Sequence, residues 1–386
     1  MIKVLHILDG FGAGGAETWL RDCVIYLHNN PNLQVQFDFL CTGGVPLVYD
    51  REVIENGGQI FYVKYSVGRA IAFRKEVSSI LRIGNYNVIH DHCDFVTGWH
   101  LFLMQPHLPK IRITHLHNPY NYVNNYVTGL QRYLTFKVGR GLSYVFTSFI
   151  TGTSDHVMDE YGYHRFPYRN KRISPAYCGF YCNNFRFEDA ARVKIRDEFK
   201  ISPNEKVGLF VGRIGLNEND KSPNQKNPAF AFEVAKKLVQ DYQWKFIFVG
   251  RKASYGNILE KEVEGLGLKG QIIFTDVRKD VPNIMSSADA FLFPSFWEGL
   301  GMVVVEAQAN GLPVYLNETL PVESIVDKRR VVQLSLESGA DFWAEEINRT
   351  YIEPNSEARL KSLTMIQESG FSIENSFKRL ISIYKE

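Results

Sequence analysis

The chain has 386 residues, of which 45% are hydrophobic and 22% charged, with a formal net charge of +2. This length predicts two or three domains with sizeable cores, and the near-neutral charge argues against nucleic-acid binding. Five cysteines, an odd number without zinc-ligand spacing, predict reduced thiols. No apolar run reaches the ~18–20 residues that span a bilayer, and no signal peptide begins the chain, so we expect a cytoplasmic protein.

Strand-length apolar runs alternate with amphipathic helices along the chain, which favours parallel α/β layers. Strands in the first half are predicted at 3–8, 36–40, 59–63, 88–90, 111–115 and 149–152, with helices such as 17–27 and 74–83 between them. A polar, turn-rich stretch at 163–186 is the best domain boundary. The second series of strands is predicted at 207–211, 245–249, 271–274, 290–293 and 314–316, and a last helix within 372–386.

A glycine loop follows the first strand and opens a helix. Gly10, Gly12 and Gly15 match the G-x-G-x-x-G dinucleotide-binding spacing, and Asp38 falls about where a ribose-binding acid would lie. This pattern leaves an NAD- or FAD-dependent oxidoreductase as an alternative interpretation. Against it, Asp38 is not clearly at a strand end.

Two histidine pairs, at 90–92 and 115–117, stand at predicted strand ends. Because side chains alternate along a strand, each pair shares one face, which would allow a metal site with oxygens from Asp91 and Asp94. Nothing in the sequence fixes a third ligand. Buried, hydrogen-bonded histidines are the plainer interpretation, and we expect no metal.

Two basic residues follow the first strand of the second series. Arg213 comes after a glycine at the end of that strand, and Lys226 precedes a helix with Pro228 in its first turn. Fixed positive charges of this kind stabilise the negative charge that develops on a leaving diphosphate as its bond to a sugar breaks. Twelve residues separate the two, and they include the polar loop 217–225, so Lys221 is an alternative partner for Arg213.

The most informative segment is a strand, a turn and a helix between 288 and 314, with the helix predicted from Met302 to Ala309. Glu298 lies in the turn at the mouth of this helix, and Glu306 lies about 6 Å along its axis. The amides of a helix N-terminus suit a diphosphate. Carboxylates on either side of it suit the flanking hydroxyls of a nucleotide diphosphate sugar.

This Glu298-x7-Glu306 segment, together with the loop 14–17 (Gly-Gly-Ala-Glu), resembles glycosyltransferase family 4, and in particular its bacterial polysaccharide-building members. The resemblance implies the α/β fold called GT-B, in which two doubly wound Rossmann-like domains face each other across a cleft and the C-terminal helix crosses back. Residues 1–180 with the tail 372–386 would form an N-terminal acceptor-binding domain. Residues 187–371 would form the C-terminal domain that binds the nucleotide sugar.

The resemblance also implies roles for individual residues. The catalytic residues would be Glu298, His117, Arg213 and Lys226. The donor would be bound by residues of both domains, namely Gly14, Gly15, Gly250, Val277, Arg278, Gly299, Leu300, Gly301, Met302 and Glu306. No cofactor or metal is implied.

The implied reaction is a retaining transfer of a hexosyl or N-acetylhexosaminyl group from a UDP-sugar. The acceptor would be a saccharide or lipid-linked saccharide of a capsule, exopolysaccharide or O-antigen. A catalytically inactive homologue is a further alternative, and an inverting enzyme would need Asp91 or Asp94 as base. The basic, aromatic stretch 118–150 has no acidic residue, so we expect it to contact the inner face of the cell membrane.

Overall fold

The structure is a computed structural model, and it describes residues 1–12, 14–120, 129–163, 165, 172–215, 224–353 and 355–385. Its contacts divide the chain into two compact units. The first unit comprises Met1–Phe180 with Gly370–Glu386, and the second comprises Tyr181–Ser369. No helix among the described residues is both long and apolar enough to cross a membrane.

The first unit is built on a parallel sheet whose strand order is β3-β2-β1-β4-β5-β6-β7. Its strands are β1 (Ile2–Leu8), β2 (Val35–Cys41), β3 (Gln59–Tyr62), β4 (Val88–Asp91), β5 (Ile111–Leu116), β6 (Phe149–Gly152) and β7 (Arg172–Ile173). Its helices are α1 (Gly15–Asn29), α2 (Asp50–Glu55), α3 (Ala70–Gly84), α4 (Val96–Leu103), α5 (Leu130–Phe146) and α6 (Asp155–Tyr161).

The second unit holds a parallel sheet with the order β10-β9-β8-β11-β12-β13. Its strands are β8 (Val207–Val211), β9 (Lys245–Val249), β10 (Ile272–Phe274), β11 (Ala290–Phe293), β12 (Val314–Asn317) and β13 (Val331–Leu334). Its helices are α7 (Asp189–Glu198), α8 (Pro228–Tyr242), α9 (Ala253–Gly265), α10 (Val281–Ser287), α11 (Met302–Ala309), α12 (Gly339–Thr350) and α13 (Ser356–Glu368). Numbered from β8, this is the doubly wound order 3-2-1-4-5-6.

The central strands are largely buried because helices cover both faces of each sheet. All four residues of β11 are buried, as are those of β12. The expectation of parallel α/β layers is therefore confirmed. The sequence missed two edge strands, β7 and β13, because the first has two residues and the second is only partly buried, so neither forms a buried apolar run.

The last helix, α14 (Ile373–Tyr384), packs on the first unit, as expected from the sequence. Trp19 of α1 donates a hydrogen bond to Ser376 over 2.9 Å, and both side chains are buried. Gly179 lies so close to this helix that an added Cβ would stand 2.4 Å from the Cβ of Ser376. The chain thus returns to its first unit through specific, close contacts.

Candidate functional site

The central strands of the second sheet, β8 and β11, pair directly, with Phe291 opposite Leu209. From β8 the following strands β9 and β10 are added towards one edge of the sheet, and from β11 the strands β12 and β13 are added towards the other edge. The position between β8 and β11 is therefore the topological switch point. Ligands of doubly wound sheets bind in the crevice at the carboxyl ends of such strands. Arg213 follows β8 and Glu298 follows β11, so the topology brings both loops to this crevice.

The Glu298 carboxylate is held from two sides. Its side chain is 7% exposed, and its Oε1 lies 2.7 Å from the ammonium of Lys226. Its Oε2 accepts a hydrogen bond from the amide of Gln225 over 3.2 Å. The loop that carries Glu298 is fixed further by Asn317, which donates to the carbonyl of Ser295 over 2.9 Å. A carboxylate has about four lone-pair sites, so these two contacts leave room for ligand hydroxyls.

The two basic residues of the site, Arg213 and Lys226, differ in exposure. Arg213 is exposed, whereas the Lys226 side chain is 20% exposed and its ammonium stands 4.8 Å from the centre of the Phe293 ring. Lys226 lies in the turn before α8, whose N-cap is Asn227. Lys221 lies outside the described residues. The sequence predicted Lys226 as a partner of Arg213 at a diphosphate, whereas the structure places its ammonium on the Glu298 carboxylate. Its role towards a diphosphate remains a prediction.

The N-terminus of α11 faces the same edge of the sheet. Gly301 is its N-cap with φ +87°, a conformation that favours glycine, and no side chain caps the helix there. The segment from Gly299 to Met302 therefore ends at a helix N-terminus, which carries backbone amides and a partial positive charge. Glu306 lies one turn inside and is partly exposed, while Val304, Val305 and most of the rest of α11 are buried.

Further predicted donor contacts lie after β9 and β10. Gly250 has φ +142°, and an added Cβ would stand 2.0 Å from the carbonyl oxygen of Gly212, so glycine is required here. Val277 is 69% exposed, which suits the predicted backbone reading of a base. The guanidinium of Arg278, in contrast, is engaged by Glu198 at 2.5 Å and Asp280 at 2.7 Å. A contribution of Arg278 to the donor would therefore come from its backbone.

In the first unit, the glycine loop leads into α1 with Gly14 as N-cap. A Cβ at Gly14 would stand 2.2 Å from a carboxylate oxygen of Glu17, so this carboxylate lies against Gly14 at the start of α1. Asp38, the acid required by the dinucleotide interpretation, is 2% exposed within β2. Asp38 is the middle residue of β2, so it does not lie at the strand end. Its carboxylate accepts hydrogen bonds from Tyr86 and from a neighbouring glutamine.

Five histidines form an array that we call the histidine stack, comprising His6, His90, His92 and His115, which are buried, and His117, which is half-buried. Two hydrogen-bonded chains run through it. In one, His92 bonds His6 at 3.0 Å and His117 at 2.9 Å. In the other, His90 bonds His115 at 3.1 Å and the hydroxyl of Tyr384, from α14, at 2.7 Å.

Burial lowers the pKa of every histidine in the stack. The pKa of His6 falls to about 3 because the ring is fully enclosed, and desolvation lowers that of His117 to about 3 as well. Desolvation, followed by repulsion from neighbouring imidazoles, lowers the pKa of His90, His92 and His115. The stack is therefore neutral at pH 7. His117 is placed at the end of β5 as predicted, with its imidazole bound within the stack.

The histidine nitrogens form two groups within 4.8 Å that are close enough for a metal ion, His6-His90-His92 and His92-His115-His117. The rings of His115 and His117, however, stack at 4.2 Å with planes 12° apart. Imidazole lone pairs lie in the ring plane, so one ion cannot lie in both of these parallel planes. As placed, this pair forms an aromatic stack instead of a chelate.

The two carboxylates offered as alternative bases are already engaged. Asp91 is fully buried and accepts from His100 over 2.8 Å and from Thr97 over 2.9 Å. Asp94 accepts from the backbone N–H of His117 over 2.7 Å and from the Asn118 side chain over 2.8 Å. Burial raises the pKa of Asp94 to about 6. Both carboxylates thus hold the loops after β4 and β5 in place.

Residues 192–363, nearly the whole second unit, match the family model described as Glycosyl transferases group 1. The chain is thus similar to the group 1 glycosyltransferases, through its second unit. It is 26% identical to the putative glycosyltransferase EpsF of Bacillus subtilis (strain 168), over 99% of this chain and 96% of that protein. It is 24% identical to the capsular polysaccharide biosynthesis glycosyltransferase CapH of Staphylococcus aureus, over 100% and 99%.

The fold agrees with this family. The crystal structure of Anabaena HepE in complex with UDP and glucose superposes with a TM-score of 0.78 at 16% identity, covering 100% of both chains. The GT-B fold expected from the sequence is therefore confirmed. The family match also favours a glycosyltransferase over the dinucleotide-dependent oxidoreductase.

Sequence reasoning missed two residues of this arrangement. Gln225 contacts Glu298, and its only local signal was its position directly before Lys226. Tyr384 contacts His90 from 294 positions away in the sequence, and no local pattern reveals such a partner.

Proposed function

We propose that this glycosyltransferase is a retaining enzyme that transfers a sugar from a UDP-sugar to a saccharide or lipid-linked saccharide in surface polysaccharide synthesis. The observation that carries the proposal is the buried Glu298 carboxylate, paired with Lys226 beside the uncapped N-terminus of α11. This places an acceptor for sugar hydroxyls next to donors for a diphosphate. The choice of UDP is supported by analogy of fold with HepE, which binds UDP.

Each group then has a distinct task. Glu298 accepts hydrogen bonds from hydroxyls of the transferred sugar, and Glu306 accepts them from the ribose. Amides of the segment 299–302, with Arg213 and Lys226, hold the phosphates. Because these charges are fixed before the reaction, they stabilise the negative charge that grows on the leaving diphosphate without reorganisation.

In the retaining reaction, the bond between the anomeric carbon and the β-phosphate oxygen breaks. The bond to the acceptor oxygen forms on the same face of the sugar. The departing phosphate oxygen takes the proton of the acceptor hydroxyl, so no protein base is needed. This agrees with the engagement of Asp91 and Asp94 in structural hydrogen bonds. We also propose that the transfer proceeds without a metal.

A nucleotide-sugar panel tests the donor class. Purified protein is incubated with UDP-, GDP- and dTDP-sugars and with NAD, and thermal stabilisation and slow hydrolysis of the sugar nucleotides are recorded. We expect a UDP-sugar to stabilise the protein and to be hydrolysed. Stabilisation without hydrolysis or transfer would favour the inactive homologue, and stabilisation by NAD alone would favour the oxidoreductase.

Substitution of Glu298 tests the site. Glu298→Ala should lower turnover on the order of 100-fold or more, because a contact made in the transition state is lost. Glu318→Ala is the matched control, since Glu318 is an exposed glutamate of the same unit. Full activity of Glu298→Ala, with the fold intact by circular dichroism, would remove Glu298 from the site.

Helix α5 supports contact with an anionic membrane surface, where a lipid-linked acceptor would be found. Its buried face packs closely on α4, where a Cβ at Gly98 would stand 2.1 Å from the carbonyl oxygen of Gly139. Its outer face exposes apolar side chains in one stripe, Leu130, Leu134, Val138 and Val145. The exposed Lys137 lies beside the stripe, Arg132 is exposed in the first turn, and the helix has no acidic residue.

Flotation with liposomes tests this contact. We expect co-flotation with vesicles of phosphatidylglycerol and phosphatidylcholine, weakened by Leu134→Glu and by high salt, because both apolar burial and charge contribute. Val193→Glu is the control, since Val193 is exposed on α7 of the second unit. Wild-type protein that stays entirely in the soluble fraction would refute the contact.

A further inference from the structure

The side chain of Gln225 connects the two loops of the candidate site. Its Nε2 donates to the Glu298 carboxylate over 3.2 Å and to the carbonyl of Trp297 over 3.0 Å. Its Oε1 accepts from the guanidinium of Arg213 over 3.4 Å. One neutral amide thus bridges a cation after β8 and an anion after β11.

The backbone around Gln225 is fixed as well. Phe296 donates its backbone N–H to the Gln225 carbonyl over 2.9 Å. Asn224, which is 9% exposed, donates to the carbonyl of Arg213 and accepts from the backbone of Lys226, both over 3.0 Å. With its backbone held at both sides, Gln225 presents its amide in one direction. These contacts also join the segment before α8 to the loop before α11.

The chemistry of this position suits an amide. A guanidinium only donates and a carboxylate only accepts, so a side chain between them must accept on one side and donate on the other. A primary amide does both without adding charge. Glutamate lacks the donor and would repel Glu298, and an apolar side chain of the same length makes neither bond.

The second contact also fixes the orientation of Glu298. The Lys226 ammonium holds Oε1 alone, at the end of a flexible stem, and a single contact leaves the carboxylate plane free to rotate. The Gln225 amide holds Oε2, so both oxygens have a defined place. The remaining lone pairs then point in fixed directions.

We propose that Gln225 is a positioning residue, which orients the Glu298 carboxylate and the Arg213 guanidinium for the sugar and the diphosphate of the donor. The proposal rests on the proposed function, because it takes Glu298 to contact the transferred sugar. Gln225 itself acts through these two neighbours.

Two substitutions test the proposal, with UDP-glucose, or the UDP-sugar that the panel selects, as substrate. Gln225→Met keeps the length and removes both hydrogen bonds, and we expect turnover to fall about 10- to 100-fold, as for a small displacement of a reacting group. We expect the Kd for UDP, measured by calorimetry, to change less than about threefold, because the α11 amides remain in place. Gln271→Met, at an exposed glutamine of the same unit, is the control.

Gln225→Glu adds a signature that a purely structural role would not give. In Gln225→Glu the new carboxylate faces that of Glu298, and this repulsion favours retention of a proton to higher pH, while Arg213 and Lys226 oppose it in part. Protonation of the new carboxylate restores a donor for Glu298. Its activity should therefore recover relative to wild type as the pH is lowered from 8 to 5.5. An unchanged pH profile, with activity low throughout, would refute the positioning role.

The remaining outcomes separate the two proposals. If Glu298→Ala abolishes turnover while Gln225→Met stays within about twofold of wild type, the positioning role fails and the proposed function stands. If Gln225→Met loses UDP binding together with thermal stability, the residue is structural and the positioning role fails. If Glu298→Ala is fully active, the proposed function itself fails.

Discussion

Acidification should weaken the first unit through the histidine stack. His6 is 0% exposed and its pKa in the folded protein is about 3, against an ordinary value of 6.5. Between these values the unfolded chain binds a proton that the folded chain does not, so stability rises with pH. The contribution of His6 is complete above pH 6.5 and is lost progressively as the pH falls towards 3.

The size of the effect follows from the shift. At pH 5, about 1.5 pH units below the unfolded pKa, neutral burial of His6 costs about 2 kcal/mol of stability relative to pH 8. The other four histidines act in the same direction. Asp94 acts in the opposite direction, because its pKa is raised to about 6 and the folded protein binds its proton first.

Replacing His6 isolates its contribution to the pH dependence of stability. We expect His6→Leu to remove about 2 kcal/mol of the loss in stability between pH 8 and pH 5, because leucine does not titrate and Asp94 contributes equally in both proteins. Urea unfolding is followed by hydrogen exchange of peptides covering β1 and β2, which report on the first unit alone. His107→Leu, at an exposed histidine, is the control. Equal pH dependence of wild type and His6→Leu would refute the neutral stack.

Three further substitutions test the packing. Gly250→Ala should destabilise the second unit by more than about 1 kcal/mol, because its positive φ and the nearby carbonyl of Gly212 exclude a Cβ; a thermal melt within 1 °C of wild type would contradict this. Tyr384→Phe should cost about 1 kcal/mol in urea unfolding, because His90 loses a buried partner. Asp289→Ala should cost about 3–5 kcal/mol, because Arg196, 4% exposed, keeps a buried charge without its carboxylate; an unchanged urea midpoint would show that other groups replace it.

Local sequence was enough to predict much of this fold. The bounds of β6, β8, β9, β11 and α11 agree with the prediction, because each is a buried apolar run between turn residues. The carboxylate at the mouth of α11 and the glycine at position 250 were also visible, since strand ends and helix starts depend on neighbouring residues. The edge strand β7 was not, because two residues form no pattern.

Tertiary structure decided which partners these residues have. The sequence by itself determined that Glu298 lies in a loop before a helix, that histidines stand at strand ends, and that charged residues follow β8. Only the fold brought Gln225 to Glu298, 73 positions away, and Tyr384 to His90, 294 positions away. The physical reason is that period and propensity act over a few residues, whereas hydrogen bonds between distant side chains depend on how strands are ordered in the sheet.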